Sequence, residues 1–371
     1  LNEAGKALHD LFASEWDYQL EEYPTWASKL GDRRWNDRWG DQSLDAIHRR
    51  HGHNIRVLAE LGKINREELS HADRLNYDLF RKDYLDEVEE HQYRWYLIPV
   101  NQLGGVQTAD ELADALRFDR LKDYDDWLAR LRALPEYIEQ TTALMREGIR
   151  QQILLPKIVL ERIPNQIDHQ IVSDPKESPF YKPLRHFAGS IAAADMSRLA
   201  SAAEHAIKSD VVPAFRRLKE FFVNDYLPGS LDRVGIWQLR DGDAMYRFAV
   251  RQHTTTQMTP QEIHEIGLRE VSRIRGAMQS IIDSLGYQGS PGEFAEFLRS
   301  DPQFYYKTAE ELLLAYRALT RRIDPLLVRI FQTLPRIPYG VEPIPENIAP
   351  DTTTAYYRSP AADGSRAGTY F

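Results

Sequence analysis

Apolar residues recur at helical spacing along most of the chain. Leu8, Leu11, Phe12 and Trp16 lie three and four residues apart, which predicts a helix ending near the break at Pro24. A second helix is predicted over 41–61. A third follows, in which Leu69, Ala72, Leu75 and Leu79 share one face opposite a charged one. Pro99 and Gly104-Gly105 interrupt that run. Thr108 and Glu111 then have the spacing of a capping box, in which a hydroxyl and a carboxylate satisfy each other's backbone N–H groups. One long helix is predicted over 118–149 with a break near Pro135, then mixed structure over 156–183 with a loop at 173–181. Helix returns over 192–223, kinked near Pro213 and stopped by Pro228-Gly229.

The strongest start signal is at Thr259, where Pro260 suits the first helical position and Glu262 completes a capping box. Behind it Gly267, Val271, Ile274, Met278, Ile281 and Leu285 follow a near-heptad rhythm, the pattern of a packing seam. Ser290 with Glu293 and Thr308 with Glu311 repeat the capping device. From Leu334 the character changes. Pro335, Pro338, Pro343, Pro345 and Pro350 exclude helix, while 352–357 and 368–371 read as strands flanking the turn signal Asp363-Gly364. The expected fold is therefore all-α or mainly α. A helical body covers 1–333, with a possible sub-boundary near 99–108, and an extended segment with a small β hairpin or strand pair covers 334–371.

Composition narrows the function classes. With 42% hydrophobic and 28% charged residues, the 371-residue chain has globular composition. Its 47 basic and 56 acidic residues leave a net charge of -9, which argues against a nucleic-acid binder. The absence of cysteine removes disulfides, thiolate metal sites and cysteine nucleophiles together. No apolar run approaches the length of a membrane span. Residue 1 is Leu rather than an initiator Met, so a leader that was removed or never included stays open; a bacterial exported or lipid-anchored location is preferred to a cytoplasmic one.

Three segments carry candidate chemistry. His48, His51 and His53 cluster in the second helix, and the first two can share a face. No acidic residue at matching spacing completes a metal set, and Arg49, Arg50 and Arg56 flank them, so a solvated face is the better reading. His264-Glu265 opens the zinc-protease pattern of two histidines four residues apart, but position 268 is Leu and the pattern fails. The polar segment 251–256, expected as a loop, either presents His253 and hydroxyls to a cleft or uses its threonines for turn hydrogen bonds. No metal site is expected within 1–371.

Long stretches resemble a known family. Leu239-Arg-Asp-Gly-Asp-Ala-Met-Tyr-Arg-Phe, the run from His253 through Val271, and Leu334-Pro-Arg-Ile-Pro-Tyr-Gly-Val-Glu-Pro-Ile-Pro are similar to the bacterial "domain of unknown function 885" family. So are Thr352-Thr-Thr-Ala-Tyr-Tyr, Asp363-Gly-Ser-Arg-Ala-Gly and the opening from Glu15-Trp16 through Leu30-Gly-Asp-Arg-Arg-Trp-Asn. The resemblance implies a fold similar to the helical zinc carboxypeptidases related to carboxypeptidase Taq. It also implies a zinc cofactor in full-length members, held by a His-Glu-x-x-x-Gly-His-His type helix soon after a Gly-Thr-Tyr-Phe-like strand.

That helix is not in this sequence. The chain is accordingly expected to be the N-terminal portion of a zinc-dependent metallopeptidase-like hydrolase acting on peptides, inactive as it stands and binding no metal itself. No ligand or general base transfers to a residue here. The alternative is a non-enzymatic peptide-binding or scaffold protein with the same helical frame. The resemblance places 352–357 and 368–371 beside the absent helix, which makes Tyr356, Tyr357 and Arg358, with His253, the candidates for lining a substrate cleft.

Overall fold

The computed structural model describes residues 2–345, 349, 354–361, 364 and 366–371. Pro350, Thr352, Thr353 and Asp363, on which part of the strand and turn expectation rests, lie outside the described residues. The structure is 68% helical and 3% strand, so the chain is mainly α with a small sheet near its C-terminus. It divides into two compact units, Leu1–Phe248 and Ala249–Phe371. The change from helix to extended chain near Leu334 falls inside the second.

The first unit is organised around the helix Leu121–Gln151. Its Trp127, Leu131, Leu134 and Met145 are buried against Phe180, Phe215, Phe222 and Tyr226. The expected break at Pro135 does not occur. Proline forfeits one backbone bond, at a cost of about 3 kcal/mol, but Leu131, Leu134 and Ile138 around it are all buried and hold the helix through it. The residues 193–229 stay helical past Pro213 and end at Gly229, where Pro228-Gly229 was expected to stop them. Five-residue π segments at Ile207–Val211 and Phe222–Tyr226 precede Pro213 and Pro228 and widen the turn where an N–H is missing.

Arg130 is fully buried on the same central helix. Its Nε donates to the Arg38 carbonyl at 2.9 Å, and its Nη2 to the Ser28 hydroxyl at 2.8 Å and the Trp35 carbonyl at 3.1 Å. One guanidinium thereby ties the irregular stretch after the Pro24–Lys29 helix to the core. Burial with no bonded carboxylate pushes the Arg130 group down to about 10.

Two local expectations change. In the helix His71–Glu90 the buried residues are Asp73, Tyr77 and Tyr84, with Phe80 packed beside them, while Leu75 and Leu79 are exposed. The aromatic side wins because Tyr77 and Phe80 meet Leu8, Leu61 and Phe12 of neighbouring helices. The Thr108 capping box also fails to form. Thr108 sits inside the 3-10 turn Val106–Glu111 with non-helical backbone angles, and its hydroxyl bonds the Gly105 carbonyl.

The second unit contains the helices Pro260–Ser284, Pro291–Ser300 and Ala309–Ile323. Thr259 and Ser290 form complete capping boxes with Glu262 and Glu293. Thr308 caps its helix, but the Glu311 carboxylate turns to the Lys307 N–H instead. Three short strands follow: β1 Tyr339–Val341, β2 Tyr357–Arg358 and β3 Gly368–Tyr370, in the order β1-β3-β2. β1 runs parallel to β3, and β2 antiparallel to it. The helix Ala309–Ile323 holds the sheet through Arg317 Nε on the Val341 carbonyl at 3.1 Å and through Tyr316 against Tyr370.

Candidate functional site

Three of the four sequence candidates meet on β2 and the residue before it. Tyr356 and Phe371 exchange both backbone hydrogen bonds, at 3.2 and 2.8 Å, which makes them a closely bonded antiparallel pair. Bonded and non-bonded pairs alternate along such a ladder, so Tyr357 opposite Tyr370 turns its N–H and C=O away from β3 toward the outer edge. Tyr357 is 54% exposed, and its phenol lies across Gly368. A Cβ at Gly368 would stand 1.8 Å from that hydroxyl oxygen, so only glycine lets the ring lie there.

Tyr356 and Arg358 point to the opposite face, as the period of two requires. Tyr356 stacks on Phe371 with ring centroids 4.9 Å apart, and the Arg358 guanidinium lies 4.8 Å above the centroid of the same ring. The Arg358 Nε is buried and has no hydrogen-bond partner among the described residues. This arrangement sets a guanidinium, packed on Phe371, beside an edge strand whose Tyr357 backbone groups face outward.

His253 stands on a different element. Of the segment 251–256 expected as a loop, 251–254 form the last turn of the helix Gly242–Thr254, with His253 exposed on it, and Thr255 and Thr256 follow outside the helix. The threonines satisfy one another locally. The Thr254 hydroxyl bonds the Val250 carbonyl at 2.7 Å and pairs with the Thr256 hydroxyl at 2.9 Å, which in turn takes the Met258 N–H. Thr255 ends the helix at φ 56, a left-handed conformation costly for a β-branched residue. In the same unit, Arg275, Gly276, Gln279, Pro291 and Gly292 line a separate depression of 510 Å³.

The first unit holds a polar network that sequence spacing could not assemble. Glu15 accepts from the Tyr84 hydroxyl at 2.8 Å and pairs with His53 Nε2 at 2.7 Å. The His53 ring stacks on Tyr18 at 3.6 Å. Burial and the Glu15 carboxylate push the Tyr84 phenol up, and burial with the Glu22 charge pushes Tyr18 up to about 12, so both stay protonated. Two residues back, His51 stacks on His91 at 3.8 Å, and His48 meets His91 edge-on at 5.6 Å. Period-3.6 reasoning found His48 and His51 but had no signal for His91, which arrives from the end of the next helix. His264 stays exposed in the first turn after Thr259, with Glu265 accepting from Gln261.

These imidazoles do not fit a zinc site. Lone pairs lie in the plane of each ring, so rings stacked at 12° direct them side by side rather than at one ion. Among the described residues no group of three His, Cys, Asp or Glu side chains is placed to hold a metal.

Comparison with known proteins places the chain among bacterial relatives. A family model described as "Bacterial protein of unknown function (DUF885)" matches residues 24–371. No curated protein matches. A crystal structure from Colwellia psychrerythraea, described as a "putative lipoprotein", has a TM-score of 0.89 at 20% identity and covers 100% of this chain. A second solved structure, from Shewanella oneidensis and described as a "putative lipoprotein of unknown function", has a TM-score of 0.60 at 14% identity over 93% of this chain. The chain spans 67% of the first neighbour and 61% of the second. At these identities the likeness is one of fold.

Proposed function

Since the chain belongs to the DUF885 family of bacterial proteins, we propose that it supplies the helical frame and the peptide-docking strand of a zinc-dependent, peptidase-like hydrolase. The observation that carries this reading is β2. An extended peptide adds to a sheet edge through main-chain hydrogen bonds that do not depend on its sequence, and Tyr357 turns its backbone groups to that edge. The Arg358 guanidinium beside it would give a peptide's terminal carboxylate a charge-assisted bond, about twice as strong as a neutral one. Tyr356 and Tyr357 are the phenols nearest such a peptide, and His253 is kept as a further cleft candidate. Zinc remains what the family resemblance implies for full-length members. An exported or lipid-anchored location accords with the lipoprotein descriptions of the two neighbours, and no helix among the described residues is long and apolar enough to cross a membrane.

The test uses the full-length gene product and internally quenched peptides with a free C-terminus. The reading expects turnover that a chelator abolishes and Zn²⁺ restores. Peptide binding with no hydrolysis under any metal condition favours the non-enzymatic peptide-binding alternative. Neither binding nor hydrolysis overturns both.

A further inference from the structure

We propose that the stacked imidazoles of His51 and His91, with His48 edge-on, form an acid-released latch that pins the end of the helix His71–Glu90 to the helix Leu44–Leu61. These two helices form an antiparallel pair, with Asn54 bonded to Glu87 at 2.6 Å one turn away from the stack. His91 caps the second helix, and its ring lies face to face with His51 at 3.8 Å and 12°. His51 Nδ1 is buried and has no hydrogen-bond partner among the described residues. Two parallel imidazoles in van der Waals contact hold together while at most one is charged, because protons on both rings set like charges face to face with no carboxylate bonded between them.

The groups around His91 sharpen this asymmetry. His48 and His51 face it from the first helix, and Arg94 and Tyr96 from the turns that follow. Arg94 is engaged with Gln151 of the central helix, where Glu147 also lies near it. Glu87 and Glu90 belong to the same helix as the stack. Glu87 is bonded to Asn54, and burial raises the carboxyls of both, which weakens them as counter-charges. The helix C-terminus by itself favours a cation. Burial, the two neighbouring histidines and Arg94 outweigh it and push His91 down to about 4.

The sign follows from linkage. A released His91 titrates near its ordinary value of about 6.5, so the open form binds more protons than the latched form between about pH 6.5 and 4. The latch is closed at pH 7 and weakens as the pH falls through that window. Each unit of difference corresponds to a tenfold change in the opening equilibrium. Because the His91 ring is only partly buried, the expected rise in opening between pH 7 and 4.5 is about tenfold rather than the full span.

Hydrogen–deuterium exchange, corrected for the intrinsic effect of pH on amide exchange, tests this on the intact chain. Residues 44–61 and 88–97 should open about tenfold more at pH 4.5 than at pH 7, while 121–151 stays protected. His91→Phe keeps an aromatic stack without a titrating nitrogen and should abolish the pH dependence. Should that variant fold poorly, the imidazole resonance of His91 in the parent protein gives an independent readout and should titrate below pH 5. Equal opening of all helices, pH dependence that survives His91→Phe, or a His91 titration near 6.5 would each overturn the latch.

Discussion

The two units solve the same folding problem to different depths. In the first, amphipathic stripes close on each other, and Trp127, Tyr124, Phe180, Phe215, Phe222 and Tyr226 are almost wholly buried. In the second, the helices after Thr259 and Ser290 begin with complete capping boxes, yet the stripe of Val271, Ile274, Met278, Ile281 and Leu285 is 45–65% exposed. Of the 25 residues from Pro260 to Ser284 only Ile282 is buried. Start signals and apolar rhythm specify a helix locally. They do not specify what the stripe meets, which is a property of the surrounding chain.

The largest expected effect breaks this comparison directly. Phe215→Ala, at a fully buried site, should cost about 3–5 kcal/mol of stability. Val271→Ala on the exposed stripe should stay within about 0.5 kcal/mol. Urea unfolding of both variants checks the contrast. A large loss at Val271 would mean that the stripe packs on something in solution.

A smaller effect sharpens the local half of the comparison. Thr259→Ala removes the hydroxyl that takes the Glu262 N–H at 3.2 Å. It should destabilise the start of that helix by about 1 kcal/mol, read as faster amide exchange over 260–264 with the first unit unchanged. If exchange in that turn stays as in the parent, the capping box contributes less than its geometry suggests.

What could be read from sequence follows the same division. The helices after Thr259, Ser290 and Thr308 were legible because their caps are local hydrogen bonds between residues three apart. The continuity of the helix through Pro135 was not, because it depends on Trp127, Leu131 and Leu134 finding Phe180 and Phe215 far along the chain. In the helix His71–Glu90 the spacing of Leu75 and Leu79 pointed to the wrong face, since the buried face is set by which neighbours Tyr77 and Phe80 reach. Among candidate site residues, Tyr356 and Tyr357 were read into a strand over 352–357 by its β-branched and aromatic content, whereas the strand observed is Tyr357–Arg358. His253 was misplaced onto a loop because its threonines, poor helix formers, instead finish the helix through side-chain bonds to the backbone. His91 and Glu15 were invisible beside His51 and His53 for want of any tertiary contact to connect them.

The central claim is that β2 and Arg358 form a docking edge for a peptide with a free carboxylate. Isothermal titration tests it most directly, with one extended peptide prepared both as the free acid and as the C-terminal amide, against the parent protein and Arg358→Ala. The account predicts that amidation weakens binding to the parent by about tenfold, or 1.4 kcal/mol, and that Arg358→Ala binds both forms equally weakly. Equal binding of acid and amide by the parent, or undiminished discrimination by Arg358→Ala, would contradict it.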